Sequence, residues 1–314
     1  MVRRLLLASP RGYCAGVERA VETVERALAL HGPPVYVRRQ IVHNAHVVRD
    51  LEARGAVFVR SEAEAPEGAV LVLSAHGVAP AVLDRAAQRR LRTIDATCPL
   101  VTKVHAEVRR WAAEGRTIVL VGHVGHDEVE GTQGEAPGAI VVVETIDDAE
   151  QVVVPDPSRV AYATQTTLSV DDTADIVSVL RRRFPLIAGP SRDDICYATT
   201  NRQQAVKRLA LEVDLLLVIG SANSSNSNRL VEVAHAAGVE AHLIEDETEI
   251  DERWLAGRDV VGLTSGASAP EALVERVCDW FRTRGVDEVA EMPHVVENVF
   301  FRLPAELRRE VPAA

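Results

Sequence analysis

The stretch TIDATCPLVTKVHAEVRRWAAEG, residues 93–115, joins an apolar strand to an amphipathic helix through a loop that contains a cysteine. The pattern predicts a strand at Thr93–Ala96 and a helix at Val101–Glu114, with Gly115 as the C-terminal cap. Cys98 lies in the loop between them. The same order of strand, polar loop and helix recurs along the chain, and it is typical of parallel α/β units.

The recurring pattern predicts an α/β protein with parallel sheets. The expected strands are Leu5–Ser9, Val35–Arg39, Val70–Ala75, Thr93–Ala96, Thr117–Val121, Ile140–Glu144, Val160–Thr164, Asp214–Ile219, Ala241–Ile244 and Val260–Thr264. The expected helices are Gly16–Leu30, Val101–Glu114, Ser169–Arg183, Asn201–Glu212, Ser227–Ala237 and Ala269–Arg284.

Three cysteine loops occur at near-regular intervals in this pattern. Cys14, Cys98 and Cys196 are 84 and 98 residues apart, and each follows an expected strand. Aligning the chain on them reveals two further sets at strand ends: His43, His126 and Ser225, and then His76, Thr166 and Ser268. The alignment predicts three similar α/β lobes, residues 15–97, 98–195 and 196–285. The N-terminal strand, residues 1–14, is expected to pack on the third lobe, and residues 286–314 to form a C-terminal tail that covers the lobes.

The three cysteines form a candidate metal site. Thiolates from separate loops could bind either of two metal centres, and the residue types alone do not decide between them. One is a zinc ion completed by a histidine, and the other is a cubic iron–sulfur cluster with one iron left open. Cys278 is assigned to the core instead, because it shares a helical face with Leu273 and Phe281.

A polar cluster at the start of an expected helix is a candidate anion site. Residues 224–228 read SSNSN, and hydroxyls, amides and backbone N–H groups at a helix start bind anions. With His43, His76 and Ser268, they are expected to hold a diphosphate.

The stretch GHVGHDEVEG, residues 122–131, offers a candidate proton donor. Glu128 would serve if its carboxyl group is shielded from water, since burial raises the pKa of a carboxyl group. His123 and His126 have the HxxH spacing of zinc ligands, but Gly122 and Gly125 predict a loop there.

Composition excludes several classes of protein. The net charge of −11 and the pI of about 5.4 argue against a nucleic-acid partner. No apolar run reaches the roughly 18–20 residues of a membrane span, so no membrane partner is expected. Four cysteines do not suggest a disulfide scaffold. The N-terminal MVRRLLLASP has too short an apolar run for a signal peptide, and we expect a strand of a cytoplasmic protein.

On these residues the chain resembles the family of 4-hydroxy-3-methylbut-2-enyl diphosphate reductases. The resemblance spans nearly the whole chain and rests on PRGYCAGV, VHN, SAHGV, DATCPLVTKVH, GHDEVEGT, TQTTLSVDDT, DDICYATTNRQ, GSANSSNSNRL and GASAP. It implies three lobes in a pseudo-threefold (trefoil) arrangement around one central 4Fe-4S cluster. Cys14, Cys98 and Cys196 would bind three irons, and the fourth iron would be open to the allylic hydroxyl of the substrate.

The resemblance also implies a reaction, the last step of the methylerythritol phosphate route to isoprenoids. Two electrons and two protons remove the allylic hydroxyl as water and give isopentenyl and dimethylallyl diphosphates. Glu128, Thr166 and His126 would be the catalytic residues. The residues that bind substrate would be His43, His76, His126, Thr166, Ser224, Ser225, Asn226 and Ser268.

The resemblance also implies a redox partner, and location and oligomeric state are further expectations. The implied electron donor is a ferredoxin or flavodoxin with its NADPH-dependent reductase, and we expect a monomer or weak homodimer in the bacterial cytoplasm. Similar sequences usually read His-Pro-Glu where this chain has His126-Asp127-Glu128. Asp127 lacks the rigidity of proline and adds negative charge, so it is a candidate second proton relay.

Two other functions are alternatives to the reductase. One is a zinc-dependent hydrolase of a phosphorylated small molecule, and the other is a non-catalytic phosphate-binding module.

Overall fold

The computed structural model of the chain describes residues 2–308. These residues divide into two compact units. The first unit comprises residues 2–17, 43–47 and 197–300, and the second comprises residues 18–42, 48–196 and 301–308. Met1 and residues 309–314, the end of the predicted C-terminal tail, lie outside the described residues. Within the described chain, no helix is both long and apolar enough to cross a membrane.

Strands and helices alternate along the described chain. The strands are β1 (Arg4–Ser9), β2 (Val35–Arg38), β3 (Ala56–Val59), β4 (Val70–Leu73), β5 (Arg92–Asp95), β6 (Thr117–Val121), β7 (Ile140–Val143), β8 (Val160–Thr164), β9 (Leu215–Ile219), β10 (Glu240–Ile244), β11 (Val260–Ser265) and β12 (Glu288–Pro293). The α-helices are α1 (Ala15–His31), α2 (Ala45–Ala53), α3 (Pro80–Gln88), α4 (Pro99–Ala113), α5 (Asp127–Glu135), α6 (Ile146–Gln151), α7 (Val170–Arg183), α8 (Tyr197–Leu209), α9 (Ser225–Ala236) and α10 (Glu271–Arg282).

The first unit contains a five-stranded parallel sheet in the order β10-β9-β11-β1-β12. Successive side chains of a strand point to opposite faces. Leu5 therefore packs into an apolar cluster with Phe281 of α10, whereas Leu6 packs into a second cluster with Leu230 of α9. A sheet that is buried on both faces needs strands that are apolar throughout, as the sequence LLLVI of β9 shows.

The second unit contains two parallel sheets, of four strands in the order β3-β2-β4-β5 and of three strands in the order β7-β6-β8. β6 again divides its side chains between two clusters. Val119 packs with Leu180 of α7, and Ile118 packs with Trp111 of α4. The prediction of an α/β chain with three groups of parallel strands is confirmed, while the boundaries of the three lobes stay a prediction.

Six elements go beyond those that the sequence predicts: β3, β12, α2, α3, α5 and α6. β12 lies in the segment that the sequence analysis assigns to the C-terminal tail, and it pairs in parallel with β1 over six residues. Its sequence, EVAEMP, contains two glutamates and is partly exposed, so it lacks the apolar run that marks a buried strand. Pairing with a strand nearly three hundred residues earlier makes it a strand.

Candidate functional site

The three cysteines of the predicted metal site each stand directly before a helix. Cys14 precedes α1, Cys98 is the N-cap of α4, and Cys196 precedes α8. All three residues are partly exposed, and none of them is in a disulfide. The thiolate is the form in which a cysteine binds a metal.

In the first unit, the Cys14 loop lies beside the predicted anion-binding residues. The backbone N–H of Cys14 donates to the carbonyl oxygen of Ala267 over 3.2 Å. The N–H of Ala267 in turn donates to Oδ1 of Asn226 over 2.9 Å. The next residue, Ser268, donates its hydroxyl to the carbonyl oxygen of His43 over 2.9 Å. Four predicted site residues of this unit are therefore joined by short polar contacts.

The first turn of α9 is built around a buried serine. Ser224 caps the helix, because its Oγ accepts the N–H of Ser227 over 3.3 Å and the Ser227 hydroxyl over 3.0 Å. A Cβ on Gly220 or Gly266 would lie 2.2 or 2.1 Å from the Ser227 Oγ, so only glycine fits at the ends of β9 and β11. Ser225 is the first residue of α9 and is partly exposed. This close packing presents the polar helix start that the SSNSN sequence predicts.

In the second unit, two cysteine loops lie beside other predicted site residues. The N–H of Cys98 donates over 3.0 Å to the carbonyl oxygen of Ala75, the residue before His76. The N–H of Cys196 donates over 3.1 Å to the carbonyl oxygen of Thr166. Each cysteine thus contacts the loop that contains a member of the third matched set, as Cys14 does in the first unit.

Glu128 is a buried carboxyl group held by Thr166. Only 3% of the residue is exposed. The N–H of Thr166 donates to Oε1 of Glu128 over 2.6 Å, and the Thr166 hydroxyl lies 2.9 Å from Oε2. Burial raises the pKa of Glu128 to about 7, although both contacts with Thr166 oppose that shift. Near neutral pH the group can therefore hold a proton and release it.

The position of Glu128 depends on how α5 begins and packs. His126 is the N-cap, and its Nδ1 accepts the N–H of Glu128 over 3.2 Å. The ring of His126 meets the ring of His76 edge to face, with centroids 5.8 Å apart. A Cβ on Gly131 would lie 3.1 Å from the carbonyl oxygen of Gly77, so glycine lets α5 pack directly on the loop of His76. The predicted loop before α5 is confirmed, which excludes helical HxxH spacing.

Asp127 is paired with an arginine in the second unit. The guanidinium of Arg39, the residue directly after β2, binds the carboxylates of Asp127 and Glu130, both on α5. Arg39 has a φ of 57°, and its N–H donates to the carbonyl oxygen of Val59 over 2.6 Å. The ion pair compensates the extra charge of Asp127 and ties the first turn of α5 to the sheet. Glu128 is the carboxyl group that contacts Thr166.

Within the first unit the structure assembles Cys14, His43, Ser224, Ser225, Asn226 and Ser268, and within the second unit Cys98, Cys196, His76, His126, Glu128 and Thr166. The roles of these residues stay predictions.

Sequence reasoning missed Gln165, which is 1% exposed. Its Oε1 accepts the N–H of His123 over 3.0 Å, and its Nε2 donates to Thr167 over 2.9 Å. The sequence feature that could have identified Gln165 is its place in the polar TQTT stretch, where an apolar strand ends.

The donor chemistry of the three predicted ligands suits an iron–sulfur cluster, and this role stays a prediction. Helices α1, α4 and α8, which follow them, are 17, 15 and 13 residues long. Cys278 differs, because it is buried in an apolar cluster with Val277 and Phe281, and burial raises the pKa of its thiol. The prediction that Cys278 is a core residue is confirmed. A cubic cluster has four irons, and only three of the four cysteines stand at a helix start. One iron would therefore lack a cysteine ligand.

Comparison with known proteins gives consistent matches over nearly the whole chain. The family model of the LytB protein matches residues 5–282. A 4-hydroxy-3-methylbut-2-enyl diphosphate reductase from Acidothermus cellulolyticus is 62% identical over 99% of this chain and 92% of its own. A protein of the same name from Bordetella pertussis is 57% identical over 98% of this chain and 94% of its own.

Solved structures agree with this match. The E-1-hydroxy-2-methyl-but-2-enyl-4-diphosphate reductase of Plasmodium falciparum has a TM-score of 0.94 and 39% identity, and the match covers 98% of this chain and 97% of that one. A structure of (E)-4-hydroxy-3-methyl-but-2-enyl diphosphate reductase, described as the terminal enzyme of the non-mevalonate pathway, has a TM-score of 0.63 and 32% identity over 90% of this chain and 100% of that one. This chain belongs to the LytB protein family, whose matched relatives are 4-hydroxy-3-methylbut-2-enyl diphosphate reductases.

Proposed function

We propose that this chain reductively removes the hydroxyl group of (E)-4-hydroxy-3-methylbut-2-enyl diphosphate and forms isopentenyl and dimethylallyl diphosphates. The observation that supports it most is that one residue, Thr166, contacts both a predicted metal ligand and a buried acid. Its carbonyl oxygen accepts the N–H of Cys196, and its N–H and hydroxyl contact Glu128. A proton donor and a redox centre that share one residue suit a reaction that consumes protons and electrons together.

The proposed cofactor is one 4Fe-4S cluster per chain, with Cys14, Cys98 and Cys196 as its ligands. When bound, such a cluster supplies electrons one at a time and offers an open iron as a Lewis acid toward the hydroxyl group of the substrate. Each cysteine stands directly before a helix, and its backbone N–H already donates to a backbone carbonyl oxygen. The chain therefore presents its thiols from rigid elements, which limits the reorganisation that binding requires.

The diphosphate is assigned to hydroxyl, amide and imidazole groups. In the first unit these groups are His43, Ser224, Ser225, Asn226 and Ser268, and in the second unit they are His76 and His126. Backbone N–H groups at the start of α9 and the helix dipole add to the attraction for an anion. These groups stay bound to the substrate throughout the reaction, so they orient its allylic end without taking part in bond cleavage.

The protons are assigned to Glu128. The overall reaction takes up two electrons and two protons, releases the hydroxyl oxygen as water and places a hydrogen on carbon. A carboxyl group with a pKa of about 7 can give up a proton and be recharged near neutral pH. Thr166 is assigned to the hydroxyl group of the substrate, since its own hydroxyl already contacts Glu128. Removing water from around Glu128 also prevents loss of its proton to solvent.

The electrons are assigned to a reduced ferredoxin or flavodoxin with its NADPH-dependent reductase, because the chain needs a donor that delivers single electrons. The proposal places the chain, as a monomer or weak homodimer, in the bacterial cytoplasm.

Metal and sulfide analysis tests this function against a zinc-dependent hydrolase. The relatives named above are reductases, which favours the iron–sulfur reading. Anaerobically purified protein is expected to be brown and to contain about four irons and four sulfides per chain. One zinc per chain without sulfide would indicate the hydrolase. Protein without iron, zinc or sulfide after anaerobic cluster reconstitution would indicate a phosphate-binding module.

A further inference from the structure

Arg202, on α8 in the first unit, is the largest side chain of the described chain that is fully buried. An arginine is rarely buried unless its charge is paired. Its Nη1 donates to Oε1 of Glu297 over 3.1 Å and to the carbonyl oxygen of Ala198 over 3.1 Å. Its Nη2 donates to the carbonyl oxygen of Gly12 over 2.7 Å. Glu297 thus neutralises the guanidinium, and Nη2 of Arg202 binds the loop that leads to Cys14.

The Cys14 loop is held by α8 on both sides of the cysteine. Before Cys14, Arg202 contacts the carbonyl oxygens of Gly12 and Tyr13, at 2.7 and 3.4 Å. After Cys14, the hydroxyl oxygen of Tyr197 accepts the N–H of Ala15 over 3.2 Å. Both side chains that hold the loop come from the first two turns of one helix. The loop is therefore fixed relative to that helix.

The backbone of this loop also requires support. Gly12 has a φ of +67°, in the left-handed region that favours glycine, and its N–H donates to Ser265 over 2.8 Å. A glycine is the most mobile residue in an unsupported loop. The carbonyl that Arg202 binds is therefore the point at which the loop would otherwise loosen.

We propose that Arg202 is a positioning residue that fixes Cys14 for metal binding, with Glu297 holding the guanidinium in place. The proposal rests on the function proposed above, in which Cys14 binds an iron–sulfur cluster. Groups that orient a metal ligand typically change metal affinity 10–100-fold when they are removed. Glu297 is itself held by Asn201, whose Nδ2 donates to its Oε1 over 2.9 Å. The network therefore links the segment before residue 300 to the Cys14 loop within one unit.

The test compares Arg202→Met with Arg208→Met, an identical change at an exposed arginine of the same helix. Hydrogen exchange of the anaerobic protein reports on the loop, with the buried strand β9 of the same unit as the internal reference. Amides of residues 12–15 are expected to exchange about tenfold faster in Arg202→Met, while those of β9 stay within about twofold. Arg208→Met is expected to change neither segment. If Arg202→Met does not fold, Arg202→Lys, which keeps the charge but not the forked geometry, is measured in its place.

Iron release to a chelator is the second readout. The Arg202 variant is expected to release iron about 10–100-fold faster than the Arg208 variant. Equal acceleration of exchange in the loop and in β9 would mean that Arg202 only stabilises the unit, and unchanged exchange with unchanged iron release would also overturn the proposal. A wild-type protein that binds no iron or sulfide would refute the proposed function instead, since loop exchange is measured independently of metal.

Discussion

Replacing Glu128 with glutamine is expected to lower the turnover number by about 10²–10⁴-fold, because a positioned proton donor contributes about that much to a reaction. Glutamine keeps the shape of the side chain and can still accept the N–H of Thr166, which donates to Glu128 over 2.6 Å. It cannot deliver a proton. Iron and sulfide content should stay at the wild-type level, and steady-state kinetics with a chemical reductant measures the loss.

Asp127→Asn is the matched control for this prediction. The substitution is the same change from acid to amide at the adjacent residue, but Asp127 is paired with Arg39 whereas Glu128 contacts Thr166. Asp127→Asn is expected to keep turnover within about tenfold of wild type, since it removes one ion pair of a partly exposed group. A loss as large as that of Glu128→Gln would show that Glu128 is not the single proton donor.

The raised pKa of Glu128 also predicts how stability depends on pH. In the folded chain the group holds its proton up to about pH 7, whereas in the unfolded chain it loses the proton near its ordinary value of 4.5. The folded state therefore loses stability as pH rises from about 4.5 to 7, by up to about 3 kcal/mol. Glu128→Gln should match the melting temperature of wild type near pH 4 and exceed it near pH 8. If the difference in melting temperature between the two proteins stayed constant across this pH range, the raised pKa of the buried Glu128 would be contradicted.

Replacing Cys14, Cys98 or Cys196 with serine is the second change for which we expect a large effect. Each single variant should lose most of its iron and sulfide and essentially all turnover, because a serine hydroxyl does not supply the thiolate that binds iron. Anaerobic metal and sulfide analysis, together with the visible absorption spectrum, measures the loss. Circular dichroism checks that each variant remains folded.

Cys278→Ala provides the control for the cysteine variants. Cys278 packs in the apolar core of the first unit, beside Val277 and Phe281. Its removal is expected to lower stability modestly and to leave iron content and turnover unchanged. Full iron content in any of the three serine variants, or loss of iron in Cys278→Ala, would contradict the assignment of ligands.

The sequence was sufficient for features that depend on local pattern. Apolar strands followed by polar loops identified ten of the strands, and the spacing of Cys14, Cys98 and Cys196 identified loops whose N–H groups make matching contacts. The SSNSN stretch likewise predicted a polar start to α9. These features follow from the residues at the site itself.

The sequence was insufficient where distant contacts decide the structure. Helix α5, with the sequence DEVEGTQGE, has two glycines and a weak apolar stripe, and its packing of Gly131 on Gly77 compensates for both. Arg202 resembles an ordinary exposed helix cation in the sequence, because its partners Gly12 and Glu297 lie 190 and 95 residues away. The pairing of Asp127 with Arg39 was hidden for the same reason.

Product analysis tests the central claim most directly. The anaerobically purified protein is incubated with (E)-4-hydroxy-3-methylbut-2-enyl diphosphate and a one-electron chemical reductant, and the products are identified by mass spectrometry and NMR. We expect both isopentenyl and dimethylallyl diphosphates, with two electrons consumed per substrate molecule and no product without reductant. Release of phosphate or diphosphate without reductant, and without either isomer, would contradict the account.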